Sequence, residues 1–161
     1  MTGKESVRQN LWGEIQRCVD LFNSQVFVNR QLFTQSAFVE ILVRLNFVLQ
    51  KLSDNNNRVA WADDIQIGLN IKDITDLVNN LRNAACHSDS PRNYINNSSI
   101  KFVFNIFSGK NSHAFEVGKN IFLGNDYQDD TAFYYGDKRI YLNRHIKRLL
   151  EELPGEINKL K

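Results

Sequence analysis

Between Glu5 and about Phe27 the apolar residues Val7, Leu11, Ile15, Cys18, Val19 and Phe22 return at steps of three and four. That spacing draws one stripe along an amphipathic helix. A second helical pattern, capped near Thr34 or Ser36, runs through Phe38, Ile41, Leu42, Leu45, Val48, Leu49 and Leu52. Its apolar face is wide, which predicts a central helix, and the turn residues from Ser53 to Asn57 end it. Residues 58–69, with Val59, Trp61, Ile65 and Ile67, read equally as a short helix or an ordered connection. A third helix is expected to start with Asn70 as N-cap and Asp73 in a capping-box position. Ile71, Ile74, Leu77, Val78, Leu81 and Ala85 form its apolar face, and Ser88-Asp89-Ser90-Pro91 closes it.

The period then shifts to two. Ile100, Phe102, Phe104 and Ile106 alternate with Lys101, Val103 and Asn105, which predicts a strand. A turn at Ser108-Gly109-Lys110-Asn111 is expected to lead into Ala114 to Val117 as the return strand. Ile121 to Leu123, Ala132 to Tyr135 and Arg139 to Leu142 read as further strands, with turns at Gly118-Lys119-Asn120 and Gly136-Asp137-Lys138. A last helix runs from Asn143 through Ile146, Leu149, Leu150, Leu153, Ile157 and Leu160, with an interruption or a kink expected at Pro154. The order predicts a mainly α domain spanning 1–161: a bundle of four or five helices, with a small antiparallel sheet inserted over 98–142 before the last helix, α+β overall.

Composition adds bounds. The 161 residues suffice for one core, and 11 Phe among them make aromatic packing its main feature. The two cysteines, Cys18 and Cys86, have no metal-ligand or redox spacing; a disulfide stays open, and free buried thiols of an intracellular protein are the plainer reading. The first residues are polar and lack the apolar core of a signal peptide. Arg44 and Asn46 interrupt the longest apolar stretches, so no membrane span is expected, and the location expected is the cytoplasm.

Net charge is only +2, but it is uneven: residues 1–91 carry 9 Lys/Arg against 10 Asp/Glu, and residues 92–161 carry 11 against 8. Lys138, Arg139, Arg144, Lys147 and Arg148 crowd together around His145, a candidate phosphate-contacting cluster or a solvated helix face.

One segment carries chemistry. In Leu81-Arg82-Asn83-Ala84-Ala85-Cys86-His87, Asn83 and His87 stand four apart and are expected to stack on one helix face within hydrogen-bond reach. Arg82 lies about 140° round the helix from His87, with a side chain long enough to curl back. Ala84 and Ala85 leave room for a ligand. His87 suits proton transfer near neutral pH. Arg82 offers a planar fork of donors to a phosphate, and Asn83 can fix the imidazole tautomer. No acidic cluster with metal-binding spacing accompanies them, so neither a metal nor another cofactor is expected. On RNA, the ribose 2′-hydroxyl serves as nucleophile.

At Arg82-Asn83-Ala84-Ala85-Cys86-His87 the chain resembles the HEPN superfamily, whose signature is an Arg, a following polar residue and a His a few positions on. The resemblance implies a HEPN-like helical bundle that forms a homodimer with two motifs facing across a composite cleft. It also implies a metal-independent endoribonuclease of a toxin–antitoxin or phage-defence system, paired with an antitoxin or other protein partner; the alternative is a non-catalytic module that binds RNA or a protein. The sheet departs from the simplest members.

Asp89 and Arg92 are candidates to orient His87 or touch RNA, as are Arg139, Arg144, Lys147 and Arg148 from the basic cluster. His113 and His145 read as surface residues. Tyr127, Tyr134 and Tyr135 read as packing, with base stacking as the functional option. Cys86 is a remote option as a thiol nucleophile.

Overall fold

The computed structural model describes residues 3–28, 31–96, 98–118 and 120–160. Met1, Thr2 and the Lys119 of the expected Gly118–Asn120 turn lie outside the described residues. Three helices come first: α1 (Gly3–Asn23), α2 (Thr34–Asp54) and α3 (Ile74–Cys86). Five strands follow: β1 (Val103–Ser108), β2 (Asn111–Val117), β3 (Ile121–Asn125), β4 (Thr131–Tyr135) and β5 (Lys138–Tyr141). A π-helical turn over Leu142–Lys147 then leads without a break into α4 (Arg148–Asn158), which contains Pro154.

Helix α2 is central as its wide apolar face predicts, packing against both α1 and α3, while α4 returns to α1. Thr34 does begin α2 but does not cap it: its hydroxyl donates to the Val26 carbonyl at 2.8 Å and accepts from the Gln31 amide, tying down the α1–α2 connection. The start of α3 falls three residues later than Asn70. Asp73 is its N-cap, accepting from the Asp76 amide at 2.9 Å, and Asp76 reaches back to the Lys72 amide at 3.1 Å. Arg58 forks onto the Asp73 carboxylate with two bonds of 2.8 Å. This anchor comes from the preceding connection.

The expectation of a HEPN-like helical bundle with an appended sheet is overturned: the architecture is α+β, and the fold is not identifiable as HEPN. The strands form an antiparallel sheet in the order β1-β4-β5 and a separate β2–β3 pair. β2 therefore returns onto β3, and β1 takes β4 as its partner instead of the expected β2. The physical reason lies in β4, Thr131-Ala132-Phe133-Tyr134-Tyr135, whose last four residues are all buried. A strand buried on both faces belongs between two layers. Phe133 and Tyr135 point into the main helical core, where Phe133 stacks on Phe38 with ring centroids 4.4 Å apart. Ala132 and Tyr134 point the other way, into a second core with Ile95, Val117, Leu123 and Tyr141.

β1 reaches both cores through a bulge. Phe104 has a φ of +50°, and the register with β4 slips between Val103 and Asn105. Phe102 consequently faces the second core while Phe104 and Ile106 face the first, although strict alternation puts all three on one face. No helix of the described residues is long and apolar enough to cross a membrane.

Candidate functional site

Ile74, Leu77, Val78, Leu81 and Ala84 of α3 are buried in the main core, which leaves Arg82 and Asn83 half-buried at the surface. The Arg82 Nη1 donates to Asn83 Oδ1 at 2.9 Å, and Asn83 Nδ2 is 3.5 Å from Asn79 Oδ1. The helix ends at Cys86. His87, the first residue beyond, has extended backbone (φ −129°, ψ 101°). That conformation takes its side chain off the row that helical spacing assigns to it. Among the described residues the exposed His87 ring makes no hydrogen bond, so the expected Asn83–His87 stack does not form. The motif is brought together in part: Arg82 bonds Asn83, and His87 follows just past the helix end.

What holds this end is a residue sequence reasoning missed. Asn93 is 1% exposed, and its Nδ2 donates to three carbonyls: Ala84 at 3.1 Å, His87 at 2.9 Å and Ser88 at 3.3 Å. The Ala84 carbonyl is one of the last four of α3, whose acceptors run out of donors within the helix, and those of His87 and Ser88 follow it. Asn93 is itself held in a short 3-10 turn (Pro91–Asn93), capped by Ser90, and its carbonyl accepts from the Phe102 amide at 2.8 Å. The backbone beneath the His87 ring is thus fixed from the sheet side. The only available signal was the Ser90-Pro91 dipeptide, which marks the turn but not its target.

Asp89 and Arg92 are exposed. Among the described residues neither makes an ion pair, and neither bonds His87. Cys86 is exposed and free, whereas Cys18 is buried, its thiol pushed up to about 12 by burial. The burial expected of both cysteines holds for one.

The basic cluster is dispersed into internal pairs. Arg139 meets Asp126 at 2.8 Å and lies over the Tyr141 ring. Arg144 sits 3.4 Å from the centroid of Tyr127 and bonds Asp129 and Asp130, each at 3.2 Å. Lys147 faces Glu151 at 3.8 Å. Arg148 covers the Trp61 ring and binds Glu152 at 2.7 Å and Asp63 at 2.9 Å. Arg144 and Arg148 thereby clamp loops onto the last helix, and the phosphate-contacting role foreseen for Arg144, Lys147 and Arg148 has little free charge behind it.

His145, expected at the surface, is 1% exposed. Its Nδ1 accepts from the Tyr141 amide at 3.1 Å, which leaves Nε2–H to donate to the Asp63 carbonyl at 3.0 Å. Burial holds its pKa below the ordinary histidine value. His113 is exposed and packs at a tilt against the Phe122 ring. Tyr134 and Tyr135 are buried, so base stacking is closed to them; Tyr127 is half-buried under Arg144. Among the described residues no group of three or more His, Cys, Asp or Glu is placed to hold a metal ion.

No family model, curated protein or solved structure matches the chain. What the fold defines is therefore the class alone: an α+β domain with a central two-sided strand and a polar motif at the end of its third helix.

Proposed function

We propose that the protein is a metal-independent endoribonuclease acting at the C-terminal end of α3 through Arg82, Asn83 and His87. The observation that carries the reading is the surface pairing of Arg82 with Asn83 in the last turn of α3, followed just past the helix end by an exposed His87 on a backbone locked by Asn93. Asn83 aims the guanidinium, and the guanidinium holds a phosphodiester and the charge that grows on it. His87 removes the proton of the ribose 2′-hydroxyl, whose oxygen attacks the adjacent phosphorus. The P–O5′ bond breaks, the proton passes to O5′, and a 2′,3′-cyclic phosphate and a 5′-hydroxyl end result. This reading rests on the motif and not on a bundle fold.

No described group orients the His87 imidazole. The catalytic reading therefore calls for a second copy to complete the site, a homodimer with its α3 ends apposed, and it sets the work in the cytoplasm, where an antitoxin or other protein partner would restrain it. The same observation favours a second reading, a non-catalytic surface that grips RNA or a partner protein through Arg82 and Asn83. Induced expression separates the two. Growth arrest by the wild type, relieved by Arg82→Ala and by His87→Ala at equal protein levels, is the outcome of the catalytic reading. Growth unaffected by a folded wild type leaves the binding reading.

A further inference from the structure

A cleft of about 660 Å³ opens between residues 66–71, the inner part of α3 and the β4–β5 turn, with Pro91 and Arg92 on its wall and His87 not among its lining residues. This volume suits a small organic ligand. Asn80 of α3 contributes to its wall. The side chain is 7% exposed and its Oδ1 is buried without a hydrogen-bond partner. Leaving a buried carboxamide oxygen unsatisfied is destabilising, and such a group in a native structure calls for an explanation.

Arg92 stands on the same wall, and among the described residues its guanidinium has no ion pair. Its backbone is tightly placed: a Cβ on Gly136, whose φ is +57°, would lie 2.4 Å from the Arg92 carbonyl and 2.7 Å from that of Tyr94. The β4–β5 turn therefore sits flush against the Pro91–Asn93 turn only with glycine there. Lys138 follows on the turn. The acid in the cleft, Asp137, is already engaged by Lys138 and by the Asn96 amide at 3.1 Å. The remaining uncompensated charge on the cleft is positive and belongs to Arg92, with Asn80 and Asn96 supplying neutral donors and acceptors.

We propose that this cleft binds a phosphate ester of a small hydroxylated molecule, with Arg92 on the phosphate and Asn80 on the hydroxylated body. The proposal is independent of any RNA cleavage at His87. The ester is either a free sugar phosphate or the phosphorylated end of an RNA strand, which present the same chemistry.

The test is calorimetric titration of the full chain with ribose 5-phosphate against ribose, and with a 5′-phosphorylated tetraribonucleotide against its 5′-hydroxyl form. At least one phosphorylated probe is expected to bind about tenfold or more tightly than its unphosphorylated counterpart. Ribose 5-phosphate binding identifies a free ester, and binding of the tetranucleotide alone identifies a strand end. Arg92→Ala, at an exposed position, is expected to remove that preference with the fold intact. Asn80→Leu is expected to weaken binding about tenfold while raising the urea midpoint, because it removes the unsatisfied oxygen. Equal affinity for phosphorylated and unphosphorylated probes overturns the proposal. So does Asn80→Leu that binds as the wild type does or lowers the midpoint, since Asn80 is then a structural residue.

Discussion

Replacing Asn93 by Ala removes a side-chain amide that donates to the Ala84, His87 and Ser88 carbonyls at the end of α3, of which the His87 carbonyl also accepts from the Ser90 amide at 3.0 Å. Its two hydrogens serve three acceptors, so the loss amounts to about two hydrogen bonds at a net ~1 kcal/mol each, with a further ~1–2 kcal/mol for the most enclosed carbonyl left without a donor. Against this, Asn93 Oδ1 is itself buried without a partner, and deleting it returns about 1 kcal/mol. The expected net loss is about 2–3 kcal/mol, or roughly 5–10 °C in Tm for a chain of this size. Asn93→Asp is the sharper probe. It keeps the shape, but a carboxylate offers no hydrogen and faces three carbonyls at the negative end of the helix dipole. It should cost about 4 kcal/mol or more, exceeding the alanine variant. Urea denaturation at pH 7 measures both. An aspartate variant as stable as the alanine variant, or an alanine loss below about 0.5 kcal/mol, would refute the bracket that fixes the motif.

Asp130 is completely enclosed and accepts from the Asn143 amide at 2.8 Å and the Arg144 amide at 2.9 Å. Asp130→Ala should destabilise by about 3 kcal/mol in the same denaturation assay, with part of the ion-pair loss softened because Arg144 is partly exposed. His145 is held neutral by burial, near Asp64, Asp130 and Arg139, with a folded pKa below the ordinary 6.5. The unfolded chain then binds the proton first as pH falls. His145's contribution is complete above pH 6.5 and is lost on acidification down to its folded pKa, at up to about 1.4 kcal/mol per pH unit. Denaturation at pH 7.5, 6.5 and 5.5 should show that slope in the wild type and a flatter one in His145→Gln; equal slopes would show that other groups carry it.

The stripes of α1 and α2 were legible because three- and four-residue spacing is a local property. The start of α3 was not, since Asn70 and Asp73 are both good caps and the choice between them depends on Arg58, fifteen residues before Asp73. The strands were visible as segments, but their partners were not: β1 pairs β4 across the whole β2–β3 hairpin. The bulge at Phe104 has no signature in a run of alternating residues. For the site, the Arg82–His87 segment stood out by residue type, while its geometry turned on where α3 ends. The basic cluster was misleading for the same reason throughout: Arg148 finds Asp63 at a separation of 85 residues, and the docking of that segment is what buries His145. Ion pairs and burial made by distant segments leave no local trace.

The central claim is metal-free cleavage at the end of α3, and the direct measurement is incubation of total RNA and tRNA with purified protein in EDTA, beside Arg82→Ala and His87→Ala. Arg82 is half-buried and His87 exposed, so both variants should fold with stability close to the wild type. Cleavage by the wild type that leaves 2′,3′-cyclic phosphate ends and disappears in both variants is the predicted result. Intact RNA after incubation with folded wild type, or cleavage that both variants retain, would contradict it.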